Sequence, residues 1–530
     1  SIVAAIVFAL SGFLVGRTLY PGFVRIVALM PLVLCFTERL RQRGRWRDFV
    51  FGAMIIAWQV FAAHPQPLIY SSLLACVYAL FRLRIADCGL RILESVKTFS
   101  AAIQLVRNPQ SAIRNDLRFL TQFSLMFVAG IGLASIQLVP AFEFAIKSVR
   151  QDWPFELFTL HSLHPASLAV TLFPFFHGSG KTIYELPYWG IYWHHNEAQI
   201  YLGALALSLA VAGMIVAWRV RYRIGMFWSL VATVGVILAM GKYTGFVARL
   251  IYHFPLISHF RSPNRHWMEV TMAVAVLAGY AVDRLLSKND SREESRFLSR
   301  CVQASAVAIA LLCLMVGGLA IWWRTWFESL LRSTAGLQAL PQGFLHLARW
   351  EFLLPMISAA CVCMVIIVFV RAGNRNRWFV LLLAVLLADF HLYAAFAPIN
   401  NAEKLEALIG RAMPQALVEK QSERNPIRYQ VMLNAETGEF SPFWFYGHEM
   451  VPGYDPVLNE RQKVFSGLDE AGRCFNQTML EPQDRTLDIF NARYVFVPPS
   501  LLNNAALNDQ TRWRELAEHP PRRSEEHTSE

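Results

Sequence analysis

Charge is what this chain has least of: Asp, Glu, Lys and Arg make up 16% of its 530 residues, where soluble domains carry about a quarter. That scarcity excludes an ordinary water-soluble enzyme. Glycine-rich phosphate loops and Ser/His/Asp arrangements at useful spacing are also missing, so a nucleotide-dependent enzyme of the soluble type finds no support. The eight cysteines show neither metal-ligand spacing nor a convincing disulfide pair. Cys35, Cys76, Cys301, Cys313, Cys361 and Cys363 lie in or beside apolar runs, Cys88 lies in a basic loop, and Cys474 stands alone in a polar tail. No internal repeat of the kind that marks inverted-repeat transporters is visible. The formal charge of +11 is no nucleic-acid footprint either, because the Lys and Arg residues come in short bursts between apolar runs instead of one patch.

What is abundant is apolar sequence, 55% of residues with mean hydropathy +0.36. It is clumped. Ala198 to Trp218, Cys301 to Trp323 and Phe352 to Val370 hold no charged side chain, and a membrane helix needs roughly 20 such residues. Eleven runs read as helices: 1–16, 22–38, 49–63, 66–81, 119–138, 198–218, 225–240, 266–283, 301–323, 350–370 and 378–396. Residues 1–396 are therefore expected to form an all-α polytopic membrane domain of about eleven transmembrane helices. Pro21, Pro31, Pro65 and Pro67 interrupt the early runs, which makes kinked or re-entrant segments expected there.

Alternate loops collect the positive charge. One holds Arg39, Arg41, Arg43, Arg45 and Arg47, the next has seven Lys or Arg between Arg82 and Arg118, and a third has Arg219, Arg221 and Arg223. Five more lie between Arg284 and Arg300, followed by Arg371, Arg375 and Arg377. The positive-inside rule places these loops in the cytoplasm and everything after Phe396 outside. Residues 82–118, with Leu90, Ile92, Leu93, Val96, Ile103 and Leu105 among basic residues, read as an amphipathic helix on the inner leaflet or as a solvated linker.

From Ala397 the composition turns polar. Period-two alternation over Ile427–Leu433 and the β-forming run Arg493–Val497 predict strands, whereas Lys404–Leu408 and Met413–Lys420 read as helical. Residues 397–522 are expected to be a small extracytoplasmic α/β domain. The chain lacks an initiator Met, and residues 523–530 back-translate into a common short-read sequencing adapter; a missing N-terminal segment and an artefactual tail are expected.

Polar chemistry gathers on the expected outer side. His64-Pro65-Gln66 lies between two facing apolar segments, where proline breaks the helix and the freed backbone must face protein or a water-filled cavity. It reads as a cavity mouth or as a tight interhelical turn. The stretch from Pro140 to Glu197 holds Glu143, Lys147, Arg150, Asp152, His161, His164, His177, Glu185, His194, His195 and Glu197, with Trp153, Trp189 and Trp193. Such groups suit a sugar-phosphate lipid, with aromatics for the pyranose face and cations for phosphate, though Trp and Tyr collect at membrane interfaces on their own account. The adjacent pair His194 and His195 points apart on either a helix or a strand, unlike the i, i+4 pair of a zinc site. Arg261 and Arg265 lie just outside a helix start, ready for a pyrophosphate or for interfacial anchoring. Asp389 lies inside the last apolar run; an acid there is a functional candidate or a cap near the surface.

The order of short motifs resembles the bacterial YfhO-like membrane protein family, related to GT-C glycosyltransferases. The resemblance rests on Ala63-His64-Pro65-Gln66 before Tyr70, Pro140 with Glu143 and Arg150, Phe173-Pro174-Phe175-Phe176-His177-Gly178, and Glu197 with Tyr201-Leu202-Gly203. Phe260-Arg261-Ser262-Pro263-Asn264-Arg265, Asp389, Gly453-Tyr454-Asp455-Pro456 and Leu487-Asp488-Ile489-Phe490-Asn491-Ala492-Arg493-Tyr494 extend it over nearly the whole chain before Arg523. Where the family usually has Gly before His-Pro-Gln, this chain has Ala63.

What the resemblance implies is a GT-C-like fold in the bacterial cytoplasmic membrane. Its activity would be transfer of a sugar from a polyprenyl-phosphate donor to an extracytoplasmic glycan or lipid acceptor. A lipid-linked donor needs no nucleotide site, in keeping with the missing phosphate loop, and no cofactor is implied, with a divalent metal left open. The expected substrate-binding residues are His64, Gln66, Glu143, Arg150, Glu197, Arg261 and Arg265, with Arg261 and Arg265 foremost, and Asp389 as an intramembrane acid. No catalytic residue carries over, because GT-C enzymes hold their catalytic carboxylate in the first outer loop. A lipid or polysaccharide transporter and a non-enzymatic envelope protein are the competing classes.

Overall fold

The computed structural model describes residues 2–18, 20–83, 109–146, 154–177, 195–254, 257–287, 292–335, 349–371 and 375–396, together with 428–431, 449–450, 481, 483, 492–496 and 505–509. The chain divides into two compact units, Ser1–Val139 with Pro154–Asn400, and Pro140–Trp153 with Asn401–Glu530.

The first unit is helical. Its chain begins with α1 (Ile2–Leu10) and the single turn α2 (Gly12–Val15), separated at Ser11, whose hydroxyl donates to the Phe8 carbonyl at 2.9 Å. Gly12 permits this break: its N–H donates to the Tyr201 carbonyl at 2.8 Å, and a Cβ there would lie 2.6 Å from Tyr201 Cβ. No other residue lets two backbones come that close. Next come α3 (Pro21–Arg43), α4 (Trp46–Phe61), α5 (Pro65–Phe81), α6 (Pro109–Leu133) and α7 (Ser135–Ile146), which crosses the unit boundary. Pro21 and Pro65 stand in the first turns of α3 and α5, where a missing N–H costs nothing. They start helices; Pro31 lies inside α3.

After the short α8 (Phe155–Phe158) the chain forms α9 (Ala204–Arg219), α10 (Arg223–Met240), α11 (Phe246–Tyr252), α12 (Trp267–Leu286), α13 (Arg292–Trp322), α14 (Arg324–Ala335), α15 (Arg349–Arg371) and α16 (Arg375–Phe396). The core centres on α12, which packs against α1, α9 and α10. Small residues along α9 and α12, among them Ala206, Ala210, Gly213, Ala278 and Ala281, are buried and let the helices approach closely. Around this centre α3 packs on α4 and α5, α4 on α6, α13 on α9 and α15, and α15 on α16.

Every apolar run of the sequence contains helix, although the run 198–218 becomes α-helical only from Ala204. Four helical stretches, Arg114–Leu133, Arg223–Thr244, Glu293–Trp322 and Trp350–Arg371, are long and apolar enough to cross a membrane. Their most apolar windows are only 28 to 39% buried. Leu125, Val128 and Ile131 on α6, Leu230 and Val234 on α10, Leu311, Leu314 and Met315 on α13, and Ile357 and Met364 on α15 are all exposed. Bands of that size are too apolar for water and match the hydrocarbon of a bilayer. The other apolar helices, including Ile2–Val15, Pro65–Phe81, Ala204–Arg219 and Trp378–Ala394, are shorter, so helix length carries four spans among the described residues and not the expected eleven.

In the second unit three short parallel strands, β1 (Arg428–Val431), β2 (Glu449–Met450) and β3 (Ala492–Phe496), form a sheet in the order β2-β1-β3. Arg428 pairs with Glu449 and Tyr429 with Met450. On the other side Tyr429 pairs with Tyr494 and Val431 with Phe496, with an irregularity between Arg428 and Tyr429. Two of the strands lie where alternation and β-formers predict them; β2 is two residues long and has no sequence signal. The expected helices at 404–408 and 413–420, and most of the expected amphipathic segment at 82–118, lie outside the described residues.

Candidate functional site

Glu197, buried at 5% exposure, gathers side chains from distant parts of the first unit. It sits in the 3-10 turn His195–Ala198, ahead of α9. Arg17 from the segment after α2 donates Nη2 to Oε2 at 3.0 Å. Arg265, in the 3-10 turn Pro263–His266 that leads into α12, donates Nη2 and Nε to Oε1 at 2.5 and 3.2 Å. Asn264 donates its amide to the Glu197 carbonyl at 2.7 Å and to Oε2 at 3.3 Å. Gln66, in the first turn of α5, joins from the other side: its Oε1 accepts from Arg265 Nη1 at 2.8 Å, and its amide donates to the Arg261 carbonyl at 2.8 Å and to the Tyr70 hydroxyl at 3.0 Å.

The backbone is bent to allow this. Ala63, His161 and Ser262 all have positive φ, at 60°, 59° and 67°, a conformation that costs a non-glycine residue about 1–2 kcal/mol. Such outliers concentrate where surrounding structure enforces them. Ala63 precedes His64, whose ring stands edge-on to Phe23 at 5.2 Å. Phe23 also lies under the guanidiniums of Arg17 and Arg265, at 5.6 and 5.7 Å, within cation–π range. His161 Nδ1 meets the Ser262 hydroxyl at 3.0 Å. Glycine is the residue that the φ of Ala63 favours.

Two guanidiniums share one carboxylate, so these three groups carry a net positive charge in a buried place. Burial alone would raise the Glu197 carboxyl, but Arg265 and Arg17 hold it well below the usual carboxylate range. Burial pulls the Arg17 guanidinium below its ordinary value; for Arg265 the pairing with Glu197 outweighs burial and pushes it up. A carboxylate with both oxygens filled by cations is a poor proton acceptor. Both Glu197 oxygens are taken up by Arg17, Asn264 and Arg265, which fixes the two guanidiniums in place.

The stretch after Glu197 continues the polar chain. Gln199 and Tyr201 follow at every second position: Gln199 Oε1 accepts from the Tyr393 hydroxyl at 2.5 Å, its carbonyl accepts from Arg17 at 3.3 Å, and the Tyr201 hydroxyl donates to Asp389 Oδ1 at 2.7 Å. On the far side the Tyr70 ring stacks on His266 at 3.9 Å, and a narrow pocket opens there, lined by Tyr70, Phe158, Leu238, Ala248, Pro263 and His266.

Of the residues expected from sequence, the fold thus brings Gln66, Glu197, Arg265 and the backbone of Arg261 together, sets His64 against the shared Phe23 ring, and joins Asp389 through Tyr201. Glu143 stands exposed on α7 in the second unit, and Arg150 lies outside the described residues. Sequence reading passed over Arg17, Asn264, Gln199 and Tyr393 as site residues. Arg17 was the findable one, a lone cation between two apolar runs, although nothing in its surroundings names a partner. Among the described residues no group of three His, Cys, Asp or Glu side chains is placed to hold a metal ion. No family model, curated protein or solved structure matches the chain.

Proposed function

We propose that the protein is a membrane-embedded, glycosyltransferase-like protein that engages a polyprenyl-phosphate-linked sugar at the outer face of the bacterial cytoplasmic membrane and passes the sugar to an extracytoplasmic glycan or lipid. The observation that carries this reading is the Arg17–Glu197–Arg265–Gln66 cluster. It keeps a surplus positive charge at helix ends, next to the narrow pocket and within a bundle whose flanks face lipid. Guanidiniums are the groups of choice for phosphate, and a donor delivered through the bilayer needs no nucleotide loop. The eleven spans, the outward C-terminal domain and the placement of the cluster on the outer side belong to the same reading, supported by the arginine bursts in alternate loops.

In this reading Arg265, the more exposed of the two guanidiniums, meets the donor phosphate, the buried Arg17 adds its charge from behind, Gln66 and His64 line the approach, and Glu197 sets the two cations. The catalytic base is not among these residues. The test is photo-crosslinking of the full chain in nanodiscs with a photoactivatable polyprenyl phosphate. Saturable labelling that unlabelled polyprenyl phosphate competes away, and phosphatidylglycerol does not, is expected; equal competition by both lipids overturns the reading.

A further inference from the structure

Asp389 on α16 is buried at 6% exposure. Its Oδ1 accepts from the Tyr201 hydroxyl at 2.7 Å and from the Ser358 hydroxyl of α15 at 3.0 Å. Among the described residues its Oδ2 has no hydrogen-bond partner, and it lies where a Cβ on Gly203, whose φ is +82°, would collide with it. The titratable groups that face it are the Tyr201 phenol from the segment before α9 and the Cys313 thiol from α13. On its own helix the Tyr393 hydroxyl is turned to Gln199, and His391 is exposed. Among the described residues no Lys, Arg or His forms an ion pair with it.

An ionised carboxylate in this position would be a buried charge without a counterion, which costs several kcal/mol. A neutral carboxylic acid fits the same surroundings. Oδ1, as the carbonyl oxygen, takes both hydroxyl hydrogen bonds, and Oδ2 carries the hydrogen. We propose that Asp389 is a proton-binding site of the bundle, occupied at neutral pH, with the proton on Oδ2. Release breaks the Oδ2–H bond, leaves the electron pair on the carboxylate and passes the proton to water. The site stands on its own contacts and does not depend on the sugar-transfer reading.

The test is infrared spectroscopy of the full chain in lipid at neutral pH, in H2O and in D2O, for the wild type, Asp389→Asn and Tyr201→Phe. Expected is a carbonyl band of a protonated carboxyl that moves in D2O, is lost in Asp389→Asn, and is shifted but retained in Tyr201→Phe, which removes one hydrogen bond to Oδ1. The Tyr201→Phe shift assigns the band even where the Asn variant fails to fold. A wild type without such a band, a band that neither variant changes, or one that appears only when sodium is replaced by choline overturns the proposal, the last in favour of a sodium site.

Discussion

Two places in the first unit use the same three groups, one carboxylate between two guanidiniums, and differ in almost everything else. Glu38, near the end of α3, binds Arg41 at 2.7 Å and Arg82 at 2.8 Å, with Gln42 and the Tyr78 hydroxyl adding further hydrogen bonds. All three charged side chains keep about a fifth of their surface in water. Glu197 binds Arg17 and Arg265, with its own side chain 6% and that of Arg17 2% exposed. Water pays part of the desolvation at Glu38, so each member can be lost cheaply. At Glu197 only Arg265, at 15% exposure, keeps contact with water, and losing the carboxylate leaves the buried Arg17 without a partner. The same ion pairing is a surface brace in one place and a structural commitment in the other.

The largest effect expected from this contrast is that of Glu197→Gln. It strands two buried guanidiniums, and breaking a buried pair this way costs about 3–5 kcal/mol. Thermal unfolding of the purified protein in detergent measures it; a variant as stable as the wild type would reduce the cluster to the rank of the Glu38 brace. Second in size is the acid response. The folded Glu197 carboxyl is held well below its ordinary 4.5, so its stabilising contribution is complete above that value and is lost as the pH falls beneath it. Melting temperature against pH should drop on the acid side in the wild type, with a shallower drop in Glu197→Gln and a smaller flattening in Glu38→Gln, because burial of the part-exposed Glu38 carboxyl is outweighed by hydrogen bonds from Arg82 and Arg41, which lower it to about 2.

Smaller still is Glu38→Gln itself, expected to cost about 1 kcal/mol or less, with the cost shrinking in high salt as screening replaces the pairing. A salt-independent loss of several kcal/mol would erase the distinction between the two clusters. The smallest change is Ala63→Gly, which relieves the positive φ beside His64 and is expected to raise stability by less than about 1 kcal/mol. A measurable loss would mean that the Ala63 methyl group packs in a way its exposure does not show.

The same contrast explains what the sequence made legible. Glu38 and Arg41 stand three residues apart on one helix, a spacing that any helical reading brings into contact. The partners of Glu197 lie 180 and 68 residues away, and no local rule links them. Resemblance supplied Glu197, Gln66 and Arg265 as separate points, and only the fold joined them, with the Arg261 carbonyl tied in through Gln66. The helices followed from apolar runs because helices are the cheapest way to satisfy a backbone in lipid. Their lengths did not follow: the break at Ser11 depends on Gly12 meeting Tyr201, a contact between distant segments.

The reach from Arg17 to Glu197 also sets a clock. A ribosome adding about 5–20 residues per second needs roughly ten to forty seconds to make the 180 positions between them. Through that interval the guanidinium waits among apolar helices with its carboxylate still unmade. Whatever shelters Arg17 during synthesis must let go when Glu197 arrives, while Arg265 and the helices from α9 onward are still to be made.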